Sequence, residues 1–203
     1  MKRTLYSLCL CVSLICAACT QSGPHETLDL MAKAMEENNA QAFMAQIDMP
    51  LFSENYIKNF TNNDKALNSL NSIGDLLGLG SLDNLLGSIV DFRAYLDRNF
   101  TRGVTTGELM AQCKTATTPD CPWYPSSLRD ARIVEVGPDA AIASITTPAR
   151  LTSWIALAKG PQGWRVVGTA IMEAEARNIA NAAKNSLQAP QNPVKDSGKA
   201  VSI

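Results

Sequence analysis

The chain of 203 residues contains one histidine, His25, and it lies in a short polar stretch broken by Gly23 and Pro24. A solitary imidazole in such a stretch removes serine-histidine and cysteine-histidine catalysis from consideration. Long apolar runs are also missing. Beyond Ala18 none approaches the roughly 20 residues that a membrane-crossing helix requires. Positive charge is not in excess, with 18 Lys and Arg against 19 Asp and Glu, so no surface for nucleic acid is implied. Metal and redox patterns fail as well. Cys113 and Cys121 do not form a CxxC motif, and two sulfurs without a histidine cannot complete a zinc site. Gly78-Leu79-Gly80 lacks the preceding strand and third glycine of a dinucleotide loop. The acidic residues are scattered, and close neighbours such as Glu36-Glu37 or Glu173 and Glu175 do not share a helical face. No catalytic residue, cofactor site or metal set is expected, and the chain reads as a non-enzyme.

What is present begins at the N-terminus. Lys2 and Arg3 precede an apolar segment from Leu5 to Ala18, which suits a secretory signal. Cys19 follows Ala17 and Ala18 and precedes Thr20, Gln21 and Ser22, whereas Cys9, Cys11 and Cys16 each follow a bulky residue. This segment resembles a bacterial lipobox, with Cys16 where a branched aliphatic residue is usual. The resemblance implies removal of residues 1–18, lipid on Cys19, and several acyl chains that would hold the protein to a membrane for its lifetime. Thr20 stands where an aspartate would resemble an inner-membrane retention signal, so the implied location is the outer membrane, facing the periplasm. The alternative is an ordinary secretory signal cut near Ala18, which leaves Cys19 without a role. Cleavage at either bond removes Lys2 and Arg3 and leaves 16 basic against 19 acidic groups, a formal charge of −3.

Residues 19–26 read as the modified cysteine and a tether, residues 27–187 as one domain, and residues 188–203, with Pro190 and Pro193, as a disordered tail. Thr27 can cap a helix whose Leu28, Met31, Ala32 and Met35 share one face. Asn38 and Asn39 end or bend it, a short stretch with Phe43 and Ile47 stops before Pro50, and Phe52, Tyr56 and Phe60 mark the next helix. Residues 67–90 hold eight leucines and four glycines, which suggests two helices hinged at Gly78 to Gly80. Whether the stretch between Gly74 and Gly87 rests on lipid, on a partner or in the core stays open. The second helix carries Phe92, Leu96 and Phe100 on its stripe. A short helix over Glu108 to Gln112, capped by Thr105 or Thr106, leads to Cys113 and Cys121. As the two sulfurs left after export and lipidation, these should pair in an oxidising compartment.

After Cys121 the period becomes extended, with strands expected over Ala131 to Val136, Ala140 to Thr146, Thr152 to Ala158 and Trp164 to Ile171, joined by turns short enough to force antiparallel neighbours. Ala176, Ile179, Ala183 and Leu187 mark a last helix. The expected class is α+β: N-terminal helices on one face of a C-terminal antiparallel meander of about four strands, then a C-terminal helix. Helices followed by a sheet whose last strand reads GWRVVGTAI resemble the cystatin-like half-cones of the nuclear-transport-factor-two-like superfamily, and the layout is similar to bacterial envelope domains of the same element order. The resemblance implies a concavity between sheet and helices able to hold a small molecule, with Trp154, Trp164, Phe43 and Tyr56 as candidate lining residues. The functional expectation is a membrane-anchored envelope lipoprotein acting as a non-catalytic interaction or structural module with an envelope protein partner. A carrier of a small apolar ligand is the alternative.

Overall fold

The computed structural model describes residues 23–61 and 89–188. Cys19, residues 20–22 of the tether, the hinge between Gly74 and Gly87 and nearly all of the tail lie outside these; the rest of the expected tether, from Gly23 to Glu26, is the cap and first turn of a helix. The described chain is α+β, with seven helices and one four-stranded antiparallel sheet. In chain order the elements are α1 (Pro24–Glu36), α2 (Ala40–Met44), α3 (Met49–Thr61), α4 (Ile89–Thr105), α5 (Glu108–Thr115), α6 (Pro125–Arg129), β1 (Arg132–Gly137), β2 (Ala140–Thr146), β3 (Thr152–Gly160), β4 (Gly163–Ala170) and α7 (Glu173–Gln188).

Helix α1 starts three residues before the expected cap. Gly23 is the cap residue and Pro24 occupies the first turn, where its missing N–H costs nothing. Thr27 therefore lies inside the helix, fully buried, and its hydroxyl donates to the Trp164 carbonyl at 3.2 Å, fastening α1 to β4. Asn38 takes a left-handed φ of 52° after α1, and the Asn39 side chain caps α2 by accepting from the Ala42 amide at 3.0 Å. Asp48 does the same for α3, accepting from the Leu51 amide at 3.1 Å.

The sheet runs β1-β2-β3-β4 in simple sequence order, with Ile142 opposite Ala156 and Ile155 opposite Thr169. The segment before α3 seals the outer edge of β4: Val166 donates to Gln46 and accepts from Asp48, both at 2.9 Å. The N-terminal helices cover one face of the sheet, as expected, and the last helix covers the other. Ala141, Ala143, Ile145, Ile155, Leu157 and Val166 join the core under α1 to α6, while Ala140, Ile142, Ala156, Ala158 and Val167 meet Ala176, Ile179 and Ala183 of α7. Gly168 shows how tightly that second layer sits, since a Cβ there would come within 2.9 Å of the Ile179 side chain.

On the outer side of α1, Glu36 accepts a two-pronged ion pair from Arg129 of α6, at 2.6 and 2.5 Å. Hydrogen bonding by Arg129 holds the Glu36 carboxyl below its ordinary value. Both side chains stay nearly half exposed, so the pair contributes little to stability.

Candidate functional site

Two helical spacings build the site. Phe52 and Tyr56 stand one turn apart on α3, and Phe92, Leu96 and Phe100 repeat at the same interval on α4, so both helices turn an aromatic stripe to a common seam. Phe100 meets Trp123 edge-on at 5.6 Å between centroids, and Phe52 meets Phe100 edge-on at 5.7 Å. Such crossed arrangements bring positive ring edges to negative faces and are favoured over flat stacking. Phe43 of α2 closes the back of the cluster, 5.9 Å from both Phe100 and Trp123.

The next wall depends on a chain reversal. Gly107 adopts a left-handed φ of 74°, a conformation open to glycine without strain, and α5 packs back against α4. Thr106 supports the turn by accepting from the Glu108 amide at 3.3 Å, but the cap residue of α5 is Gly107, not Thr105 or Thr106 as expected. Helix α5 runs on to Thr115, so Cys113 belongs to the helix and is fully buried rather than sitting in a surface loop. Its sulfur lies at bonding distance from that of Cys121, with the two Cα atoms 5.1 Å apart, as a disulfide requires. The bridge pins residues 114–120 beside the aromatic cluster.

Between α3, α4, α5 and this loop lies a cavity of about 380 Å³. That volume falls within the range of small-molecule sites. Phe52, Tyr56, Phe100 and Trp123 supply ring surface, Asn99 and Gln112 supply amides, and the sheet contributes Thr169. The cavity is thus largely a space among helices and the 113–121 loop, not the sheet-and-helix concavity that a half-cone implies.

Its charged lining residues are Arg102, Glu108 and Asp120. Arg102 and Glu108 face each other at 3.5 Å and offset one another. Asp120 differs: its Oδ2 is buried and has no hydrogen-bond partner. Burial raises the Asp120 carboxyl above its ordinary value, with the nearby Thr118 hydroxyl pulling the other way. Burial also raises the Tyr56 phenol far above its usual range, helped by the negative charge of Asp120, so Tyr56 stays protonated.

The Asp120 carboxyl therefore costs stability in its ionised form. Its folded value lies above the unfolded one, so its contribution is favourable below the unfolded value and is lost as pH rises through the folded value. Asp120→Asn should raise the thermal midpoint at neutral pH by about 2–4 °C, corresponding to about 1 kcal/mol for removing a partly desolvated charge. The figure is kept low because the residue as a whole remains partly exposed. Melts between pH 3 and 8 should show the gain fading below the ordinary aspartate range; equal midpoints at pH 7 would contradict the assignment.

Of the residues proposed from sequence to line a pocket, Tyr56 does so. Phe43 stands behind the wall, Trp164 is buried in the larger core, and Trp154 packs on the α7 side of the sheet. Cys113 and Cys121 are brought together. Sequence reasoning misses Asp120 and Trp123, although the run Pro119-Asp120-Cys121-Pro122-Trp123 places both next to a half-cystine. No protein-family model matches this chain, and no curated protein or solved structure does either.

Proposed function

We propose that this is a lipid-anchored envelope protein whose folded domain binds a small molecule in the cavity between α3, α4, α5 and the 113–121 loop. The observation that carries the reading is the 380 Å³ space itself, walled by rings and bordered by Asp120, one of whose carboxylate oxygens no protein group satisfies. An interaction or structural module needs no such space. A buried polar atom without a partner calls for an explanation, and a bound group beside its residue supplies one. Binding is favoured over catalysis because Arg102 and Glu108 offset each other and His25 sits at the exposed start of α1, 3.5 Å from Asp29.

Gln112 is half-buried on the wall contributed by α5, so Gln112→Trp fills the cavity without disturbing the aromatic cluster. In a thermal-shift screen of small amphiphiles, compounds that raise the wild-type midpoint should leave Gln112→Trp unmoved. A screen in which both proteins respond alike, or in which none of the compounds moves the wild type, goes against the reading.

The anchor rests on the sequence around Cys19. Cys19→Ser should transfer the protein from the detergent phase to the aqueous or unprocessed fraction, because even one acyl chain contributes about 0.8 kcal/mol per buried methylene. Unchanged partitioning of the variant would reject the lipid anchor.

A further inference from the structure

We propose that the ligand of this cavity is an organic cation, an alkylated ammonium group that sits against the rings of Tyr56, Phe100 and Trp123 and pairs with Asp120. This rests on the reading of the cavity as a ligand site and specifies its chemistry.

The negative faces of aromatic rings attract a cation placed within about 6 Å of their centroids, most strongly where water is excluded. Here Phe52, Tyr56, Phe100 and Trp123 all border one space. Rings alone would serve a neutral apolar guest equally well. Asp120 makes the difference. It borders the same space, one of its oxygens has no hydrogen-bond partner, and its partly desolvated carboxylate carries the negative charge that a cation in the cavity would meet. Competing charge at the site is small, since Arg102 is already paired with Glu108 at 3.5 Å and Tyr56 is held protonated. An anionic guest would meet Asp120 with no free cation to balance it among the lining residues. A neutral hydrogen-bond donor could approach the Asp120 carboxylate, but it would gain nothing from the ring faces beyond apolar contact. The cation uses both features.

The test uses two probes of nearly the same shape: choline, and its uncharged analogue 3,3-dimethyl-1-butanol. Each is titrated calorimetrically into the full-length protein in a maltoside detergent, which carries no ammonium group of its own. Choline should bind at least about tenfold more tightly than the neutral analogue, the scale set by desolvated cation–ring contact together with a charge pair. Asp120→Asn should erase that preference while leaving the far-ultraviolet spectrum unchanged. Lysophosphatidylcholine separates two sources of the same chemistry. Tighter binding than choline assigns the site to a lipid headgroup, weaker binding assigns it to a free cation, and the proposal stands in both cases provided that Asp120→Asn weakens the complex.

If the two probes bind equally, or if Asp120→Asn keeps the preference for choline, the cation assignment is overturned while the cavity remains a site for neutral ligands. If neither probe binds and amphiphiles fail to distinguish wild type from Gln112→Trp, the ligand-binding reading falls with it.

Discussion

Replacing Cys113 and Cys121 together by serine should lower the thermal midpoint by about 5–10 °C and abolish small-molecule binding. In the chain-entropy description, closing a loop of this length restricts the unfolded chain by about 2.5 kcal/mol, which converts to that shift for a domain of this size. The functional loss has a separate origin. The loop contributes Thr115, Ala116, Thr117, Thr118, Asp120 and Cys121 to the cavity, so releasing it removes one whole wall and the carboxylate. The same two changes should follow reduction of the wild type by dithiothreitol, and reduction should have no effect on the serine double variant. Wild-type ligand shifts that survive full reduction would show that the bridge does not shape the site.

Phe43→Ala should be more damaging to stability and should act through packing alone. Phe43 is completely buried and touches the rings of Phe100 and Trp123 from behind. Truncating a buried phenylalanine removes its transfer free energy and leaves a void, a cost of about 3–5 kcal/mol. Marginal stability makes that a large share of the total, and the midpoint should fall by at least about 6 °C. Chemical denaturation should show a lower midpoint with an unchanged slope, because the unfolded surface is nearly the same. A loss below about 1 kcal/mol would mean that Phe43 is not the packed base of the aromatic cluster described above.

These two effects divide the molecule much as the sequence does. Local patterns carry most of the fold: Ala140–Thr146 is a strand with the bounds that its composition implies, the Gly160 to Gly163 turn joins β3 to β4, and Ala176, Ile179 and Ala183 line the buried side of α7. The second covered face was legible too. Ala140 to Ala143 and Ile155 to Ala158 are unbroken apolar runs, the mark of strands buried on both sides, where a half-exposed strand would alternate. Periodicity identifies the buried side of α7 but not the sheet face that receives it. That depends on how the chain turns after β4.

The site is less visible for a stronger reason. Tyr56 and Phe100 lie on stripes that serve equally as core, and nothing local distinguishes a stripe that closes on itself from one that borders a space. Asp120 sits in a polar run, KTATTPD, that reads as solvated surface. Its Oδ2 is buried because Cys113, in the preceding helix, is drawn fully inside and carries the loop with it. Thr27 shows the same principle at a smaller scale, its hydroxyl leaving the expected cap for a carbonyl 137 residues away. Tertiary contact decided both.

The measurement that bears most directly on the central claim is an amide chemical-shift map of the full-length protein in maltoside micelles, titrated with choline and separately with 3,3-dimethyl-1-butanol. The account predicts that at least one probe shifts Asn99, Gly103, Gln112, Thr118 and Asp120, which border the cavity, while Val134, Trp154 and Asn178 on the α7 side stay fixed. Shifts confined to the α7 side, or no saturable shift with either probe, would contradict it.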